Sequence, residues 1–146
     1  HIAPDLFDPD FDQASVVANL RTRKSKIKSA ILDQQILSGI GNIYADESLW
    51  AAKIHPERIC GDLSAKKINL LIDSAREIMA RALESGGTSF DDLYINVNGE
   101  SGFFEQALAA YGCTDEPCPR CGTPIRRITF GARSSHFCPR CQKKYR

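Results

Sequence analysis

Cys118-Pro119-Arg120-Cys121 is followed, after sixteen residues, by Cys138-Pro139-Arg140-Cys141. Two Cys-x-x-Cys pairs at this separation offer four thiolates to one tetrahedral zinc, each pair gripping the metal from a tight turn. The stretch between the pairs has the length of a β-hairpin. Ile125, Ile128 and Phe130 read as a strand, Gly131-Ala132-Arg133-Ser134 as the turn, and Ser135-His136-Phe137 as the return. The competing reading is two disulfides, which a chain showing no secretory segment disfavours. A catalytic zinc keeps one coordination position open, whereas four cysteines close it. The expected cofactor is therefore one structural Zn2+ on Cys118, Cys121, Cys138 and Cys141, holding Arg133 at the tip of a stiff hairpin.

Outward from this unit, the 146 residues allow one domain or two small ones. No apolar run approaches a membrane span. The chain opens at His1-Ile2-Ala3-Pro4 without an initiator methionine, so a piece of a longer protein is expected. Cys60 and Cys113 are expected to be reduced thiols. The net charge of +1 conceals a division: from Cys113 onward eight Lys or Arg face two acids, while the first 112 residues carry eleven against sixteen. A basic patch on a nearly neutral protein suits a polyanion contacted through a restricted surface. A solvated, merely structural zinc knuckle fits the charge equally well.

The rest of the chain reads as mainly helical. Residues 1–12, with two prolines and several aspartates, form a lead-in segment. Asp12 can cap a short helix through Asn19, with Val16, Val17 and Leu20 apolar. Arg21-Thr-Arg-Lys-Ser-Lys-Ile-Lys28 then places five basic residues in eight ahead of an apolar helix from Ile27 to Leu37. Ser38-Gly39-Ile40-Gly41-Asn42 breaks that helix, with the two glycines at positive φ and Asn42 capping the next helix, Ile43 to Lys53. The N–H groups at that helix start, with the Asn42 side chain, form a ready anion site. Asp46 and Glu47 are placed in the first turn, in capping or buried structural roles rather than as a catalytic pair. His55 is a loop histidine. A long helix from Ala65 to Glu84 carries a broad apolar stripe from Ile68 to Leu83. Thr88 to Gly102 has the character of a long binding loop with Leu93-Tyr94-Ile95 pairing briefly, and Phe103 to Tyr111 returns to helix before Gly112.

These pieces resemble a family when taken in order. Asp33-Gln34, Gly39-Ile-Gly41-Asn42-Ile-Tyr-Ala-Asp-Glu47, Gly86-Gly87-Thr88, Tyr111-Gly112 and the four cysteines are similar to the C-terminal portion of the formamidopyrimidine-DNA glycosylases. The resemblance covers nearly the whole chain. It implies a helix–two-turn–helix domain, taken as residues 1–112, and a zinc-finger β-hairpin, residues 113–146. Together these would clamp damaged duplex DNA. It implies that Asn42 and Arg133 grip phosphates around an extruded nucleotide, that Lys28 lies close to them, and that Thr88 and Tyr111 sit near the flipped oxidised purine. The related endonuclease VIII branch, acting on oxidised pyrimidines, shares the architecture. The Asn42–Glu47 run and the long Thr88–Gly102 loop resemble the purine branch more.

The resemblance also marks a gap. Family members attack the sugar with an N-terminal proline amine on a separate β-rich domain, and these residues offer no Pro-Glu start. The implied protein is a base-excision repair glycosylase and AP lyase of the bacterial cytoplasm and nucleoid, acting as a monomer. This chain would supply the grip and a separate N-terminal domain the chemistry. On that reading the lysines here, Lys28 included, remain surface amines near a pKa of about 10.4. A non-catalytic DNA-binding module and a protein-interaction zinc module are the readings from other classes.

Overall fold

The computed structural model describes residues 3–84 and 108–145, so the expected Thr88–Gly102 loop, with Leu93-Tyr94-Ile95, lies outside the described residues. Among the described residues there are four helices, α1 (Gln13–Arg21), α2 (Ile27–Leu32), α3 (Asn42–Ala52) and α4 (Ala65–Glu84), and one 3-10 turn at Cys60–Asp62. They precede one antiparallel hairpin, β1 (Arg126–Phe130) with β2 (Arg133–Phe137). Among the described residues no helix is long and apolar enough to cross a membrane.

Asp12 caps α1 as expected: one carboxylate oxygen accepts from the Ser15 N–H at 3.2 Å and the other from its hydroxyl at 2.6 Å. That fixes the helix start so that Val16, Val17 and Leu20 face the core. The lead-in is more than a linker. Ser38 N–H donates to the Pro4 carbonyl at 2.8 Å, and Leu6 is buried in the main core.

The apolar helix ends earlier than its periodicity predicts, at Leu32 rather than Leu37. Asp33 leaves the helical region (ψ 109°), and its carboxylate accepts from the Gln35 N–H at 2.9 Å. This local bond competes with helix continuation. Asp33 to Leu37 then forms one turn and Ser38 to Gly41 a second, bridged by Gln34: its Oε1 accepts from Gly39 N–H and its Nε2 donates to the Ile40 carbonyl. Only Gly39 needs positive φ (98°); Gly41 is extended at −95° and is itself the N-cap of α3. Asn42 is thus the first residue of α3 rather than its cap, which releases its side chain for a longer reach.

The core gathers around α3 and α4. Leu20, Ile27, Ile31, Leu37, Leu49, Ile54, Leu63, Ile68, Leu71 and Ile72 are all fully buried. Each contributes about 1.5–3 kcal/mol by leaving water. The α4 stripe is buried as far as Ala75; beyond it Ile78, Met79 and Ala82 are half-buried and Leu83 is exposed. Leu108 to Gly112 form a turn and not the end of a helix. The N–H groups of Ala109, Ala110 and Tyr111, which a helix would direct to its own carbonyls, point instead at the Glu47 carboxylate.

Candidate nucleic-acid interface and metal centre

The hairpin turn is two residues, Gly131-Ala132, with Gly131 at φ 59°. Glycine at the first central position is the II′ pattern, which matches the twist of the strands it joins. Arg133 therefore opens β2, paired with Phe130, and its side chain is exposed as expected. From Ser135 to Phe137 the strand turns inward. Ser135 and His136 are buried, and Phe137 packs its ring 4.5 Å from that of His55.

A buried polar cluster rivets this strand to the helix–turn–helix unit. Lys28, from α2, is fully buried, which corrects the expectation of a surface amine. Its Nζ pairs with Asp46 Oδ1 at 2.8 Å and donates to the Ser134 carbonyl at 2.9 Å and to Ser135 Oγ at 2.7 Å. Burial pushes its pKa below the ordinary lysine value, the Asp46 carboxylate pulls it back, and the Arg133 charge nearby adds a smaller downward push. Asp46 Oδ2 accepts from the His136 backbone N–H at 2.9 Å and lies 3.0 Å from its Nδ1. Asn42 Nδ2 donates to the same Ser134 carbonyl at 3.2 Å. Asn42, Lys28 and the Arg133–Ser134 corner are thus brought together.

Of the other expected site residues, Tyr111 is half-buried, its N–H held by Glu47 and its ring 4.9 Å from that of His136. Thr88 lies outside the described residues. Asp46 and Glu47 are buried structural acids and not part of the first helical turn. Burial drives the Glu47 carboxyl upward while its three backbone N–H donors draw it down, the net direction being up. The basic run is largely engaged within the fold: Arg21 donates to the Leu63 carbonyl, Arg23 to Asn19, and Lys26 pairs with Glu57.

The four sulfurs of Cys118, Cys121, Cys138 and Cys141 lie within 4.8 Å of one another. Zinc–sulfur bonds of about 2.3 Å in a tetrahedron set sulfurs about 3.8 Å apart. The separations here are 4.0 Å (Cys118 to Cys141), 3.5 Å (Cys121 to Cys138) and 3.6 Å (Cys141 to Cys121). Disulfides, at about 2.05 Å, are excluded, and the donor set fits one closed zinc site. Sequence reasoning passed over what surrounds it. Trp50 and Arg120 donate to its sulfurs, and buried Gln142 accepts from the Cys138 N–H while donating to the Ile54 carbonyl. The two leftover cysteines are unpaired thiols, and burial raises both, Cys113 to about 11.

With this geometry in place, comparison with known proteins is decisive. The formamidopyrimidine-DNA glycosylase H2TH domain pattern matches residues 2–93, and that of the zinc finger found in FPG and IleRS matches residues 115–144. The chain belongs to the formamidopyrimidine-DNA glycosylase family. Curated relatives include the formamidopyrimidine-DNA glycosylases of Rhodococcus erythropolis, 58% identical over 142 residues, and Salinispora arenicola, 53% identical over 146. The alignments cover 97% and 100% of this chain but 49% and 51% of those proteins, so the chain spans about half their length. MutM in complex with carbocyclic 8-oxo-G containing DNA superposes with a TM-score of 0.84 at 42% identity, over 98% of this chain and 51% of that one. The Lactococcus lactis Fpg bound to abasic-site DNA does so with a TM-score of 0.84 at 40% identity, over 98% and 52%. The chain corresponds to the C-terminal, H2TH-plus-zinc-finger part of the family.

Proposed function

We propose that this chain is the DNA-gripping part of a DNA glycosylase and AP lyase that removes oxidised purines from duplex DNA. One observation carries the reading. The Ser134 carbonyl accepts from both Asn42 Nδ2 and Lys28 Nζ, which sets the helix–two-turn–helix start beside the exposed Arg133 of the zinc hairpin. Asn42, which retains a second amide hydrogen, the N–H groups opening α3 and the Arg133 guanidinium then form one anion-binding corner suited to DNA phosphate. Lys28 acts from behind, fixing the Ser134 corner rather than touching phosphate itself.

Relatives solved on DNA carrying an 8-oxo-G analogue or an abasic site support damaged duplex as the partner. Residues 1–112 then serve as the helical unit and 113–146 as the zinc unit, with Thr88 and Tyr111 toward the extruded base. The nucleophilic amine belongs to the other half of the full-length protein, a monomer of the bacterial cytoplasm and nucleoid. The 146 residues by themselves grip DNA without excising a base. Fluorescence anisotropy on a labelled lesion duplex tests this. The chain should bind, Arg133→Ala should bind more weakly, and indistinguishable titrations would remove the assignment.

A further inference from the structure

The two Cys-Pro-Arg-Cys pairs are identical in sequence but not in surroundings. Arg120, in the first, lies with its guanidinium carbon 3.9 Å from the centroid of the Trp50 ring, and one terminal nitrogen donates to the Trp50 carbonyl at 2.7 Å. Its Nε donates to Cys141 Sγ, in the other pair, at 3.4 Å. The Trp50 indole N–H donates to Cys118 Sγ at 3.3 Å. Arg140, the counterpart in the second pair, is exposed, and its side chain makes no hydrogen bond or ion pair among the described residues. A loop arginine and an α3 tryptophan thus interlock and place one donor on a sulfur of each pair.

We infer that Trp50 and Arg120 are positioning residues of the zinc centre, a clasp that quiets its thiolates and locks the loaded finger against α3. A dication bound by four thiolates leaves a doubly negative centre, and its sulfurs remain nucleophilic in proportion to the charge they keep. A guanidinium N–H and an indole N–H draw off part of that charge, and ligand partners of this kind commonly govern metal retention. The clasp guards zinc against electrophiles at Cys118 and Cys141. It also makes the sole tryptophan of the chain a reporter of the metal. The inference rests on the zinc site and not on the DNA reading.

The test uses the zinc-loaded 146-residue chain, N-ethylmaleimide as the thiol electrophile and a chromogenic chelator to time zinc release. Trp50→Phe keeps a ring in place and removes the donor; Arg120→Gln removes the charge and the stacking; Arg140→Gln is the matched control. Trp50→Phe and Arg120→Gln should release zinc about tenfold faster than the parent, in line with lost partners of metal ligands, while Arg140→Gln keeps the parent rate. A shortfall in zinc content confined to those two variants supports the same assignment. Equal release from all four proteins overturns it, as does equal acceleration by Arg120→Gln and Arg140→Gln, which would make the effect one of net charge. In the unsubstituted chain, tryptophan emission should change on chelation and return on re-addition of zinc. Emission indifferent to zinc would overturn the Trp50 contact directly.

Discussion

Lys28 and Asp46 meet at 2.8 Å with essentially no exposure of either side chain, one from α2 and the other from α3. Removing one partner of such a buried pair typically costs about 3–5 kcal/mol, because the other charge is left without compensation. Asp46→Asn should lower unfolding stability in urea by that order. It leaves the Lys28 ammonium on Ser134 and Ser135 but without a counter-charge. The double variant Lys28→Met, Asp46→Asn should recover much of the loss. Both charges are then gone, while the asparagine oxygen still accepts the His136 N–H. Losses that simply add across the double-mutant cycle would show that the two residues do not act as a pair.

Arg133→Ala should weaken DNA binding by about 1.5–3 kcal/mol, the scale of a charged hydrogen bond. The loss should be similar across sequences, and the slope of log affinity against log salt should flatten by about one unit, as for a phosphate contact. Asn42→Ala should cost less in binding, since it removes a neutral donor. It should cost something in stability as well, because the Asn42 amide also holds the Ser134 carbonyl. Anisotropy titrations at several salt concentrations separate these effects. A loss confined to one base sequence would contradict phosphate contact.

The cysteine spacing, the exposed Arg133, the α4 boundaries and the glycine turn at Ser38–Gly41 were legible in the sequence, because each rests on local chemistry; the first of the two turns was not. What was not legible depends on a partner distant in the chain. Lys28 reads as the last member of a basic run, and only Asp46 and the β2 backbone, more than a hundred residues on for Ser134 and Ser135, explain its burial. Glu47 draws Leu108–Gly112 into a turn across more than sixty residues, against the helical pattern there. The early end of α2 was available in principle, since Asp33 followed by Gln34-Gln35 can form a side-chain turn; the apolar spacing through Leu37 outweighed it.

Chelation should remove one zinc per chain and unfold the hairpin while leaving most helical signal intact. Apart from the contacts of β2 to Lys28, Asn42, Asp46 and His55, the hairpin has two strands and a small cluster around Cys118, Ile125 and Cys138 to hold it without metal. Structural zinc supplies about 10–16 kcal/mol in finger peptides. DNA affinity should fall at least as far as in Arg133→Ala, because the Ser134 corner goes with the hairpin. Elemental analysis, circular dichroism at 222 nm and anisotropy check the three statements separately. Full DNA affinity without zinc would mean that the hairpin is not part of the grip.

His55 gives the fold an acid sensitivity. Burial lowers its pKa below 6.5, Glu57 opposes that, and Lys144 and Arg58 add to it. Its Nδ1 accepts from the Glu57 N–H at 3.0 Å, so that nitrogen carries no proton in the fold. As pH falls below about 6.5 the unfolded chain takes up a proton that the folded chain refuses, and stability drops until the folded pKa is reached. Each unit of depression corresponds to about 1.4 kcal/mol. His55→Asn, which keeps an acceptor for Glu57 N–H, should flatten the stability profile between pH 7 and 5. An unchanged profile in urea melts across that range would assign the acid sensitivity elsewhere.

The isolated chain should form no borohydride-trappable adduct with lesion-containing duplex. Trapping requires an amine that is unprotonated, in register with the sugar carbon and free to form an imine. Seven of the eight lysines are exposed on the surface. Lys28 is the one whose pKa is lowered, which makes it the obvious suspect for chemistry. Its geometry argues otherwise. The Nζ is enclosed by Asp46, the Ser134 carbonyl and Ser135 Oγ, and attack on a sugar would require leaving all three and crossing the β2 backbone. Joining the chain to a domain that begins Pro-Glu should restore both excision and trapping. The measurement is a denaturing gel after incubation with duplex and borohydride, run for the parent and for Lys28→Met. A covalent band in the parent that disappears in Lys28→Met would show that this lysine is a nucleophile and would falsify the division of grip from chemistry.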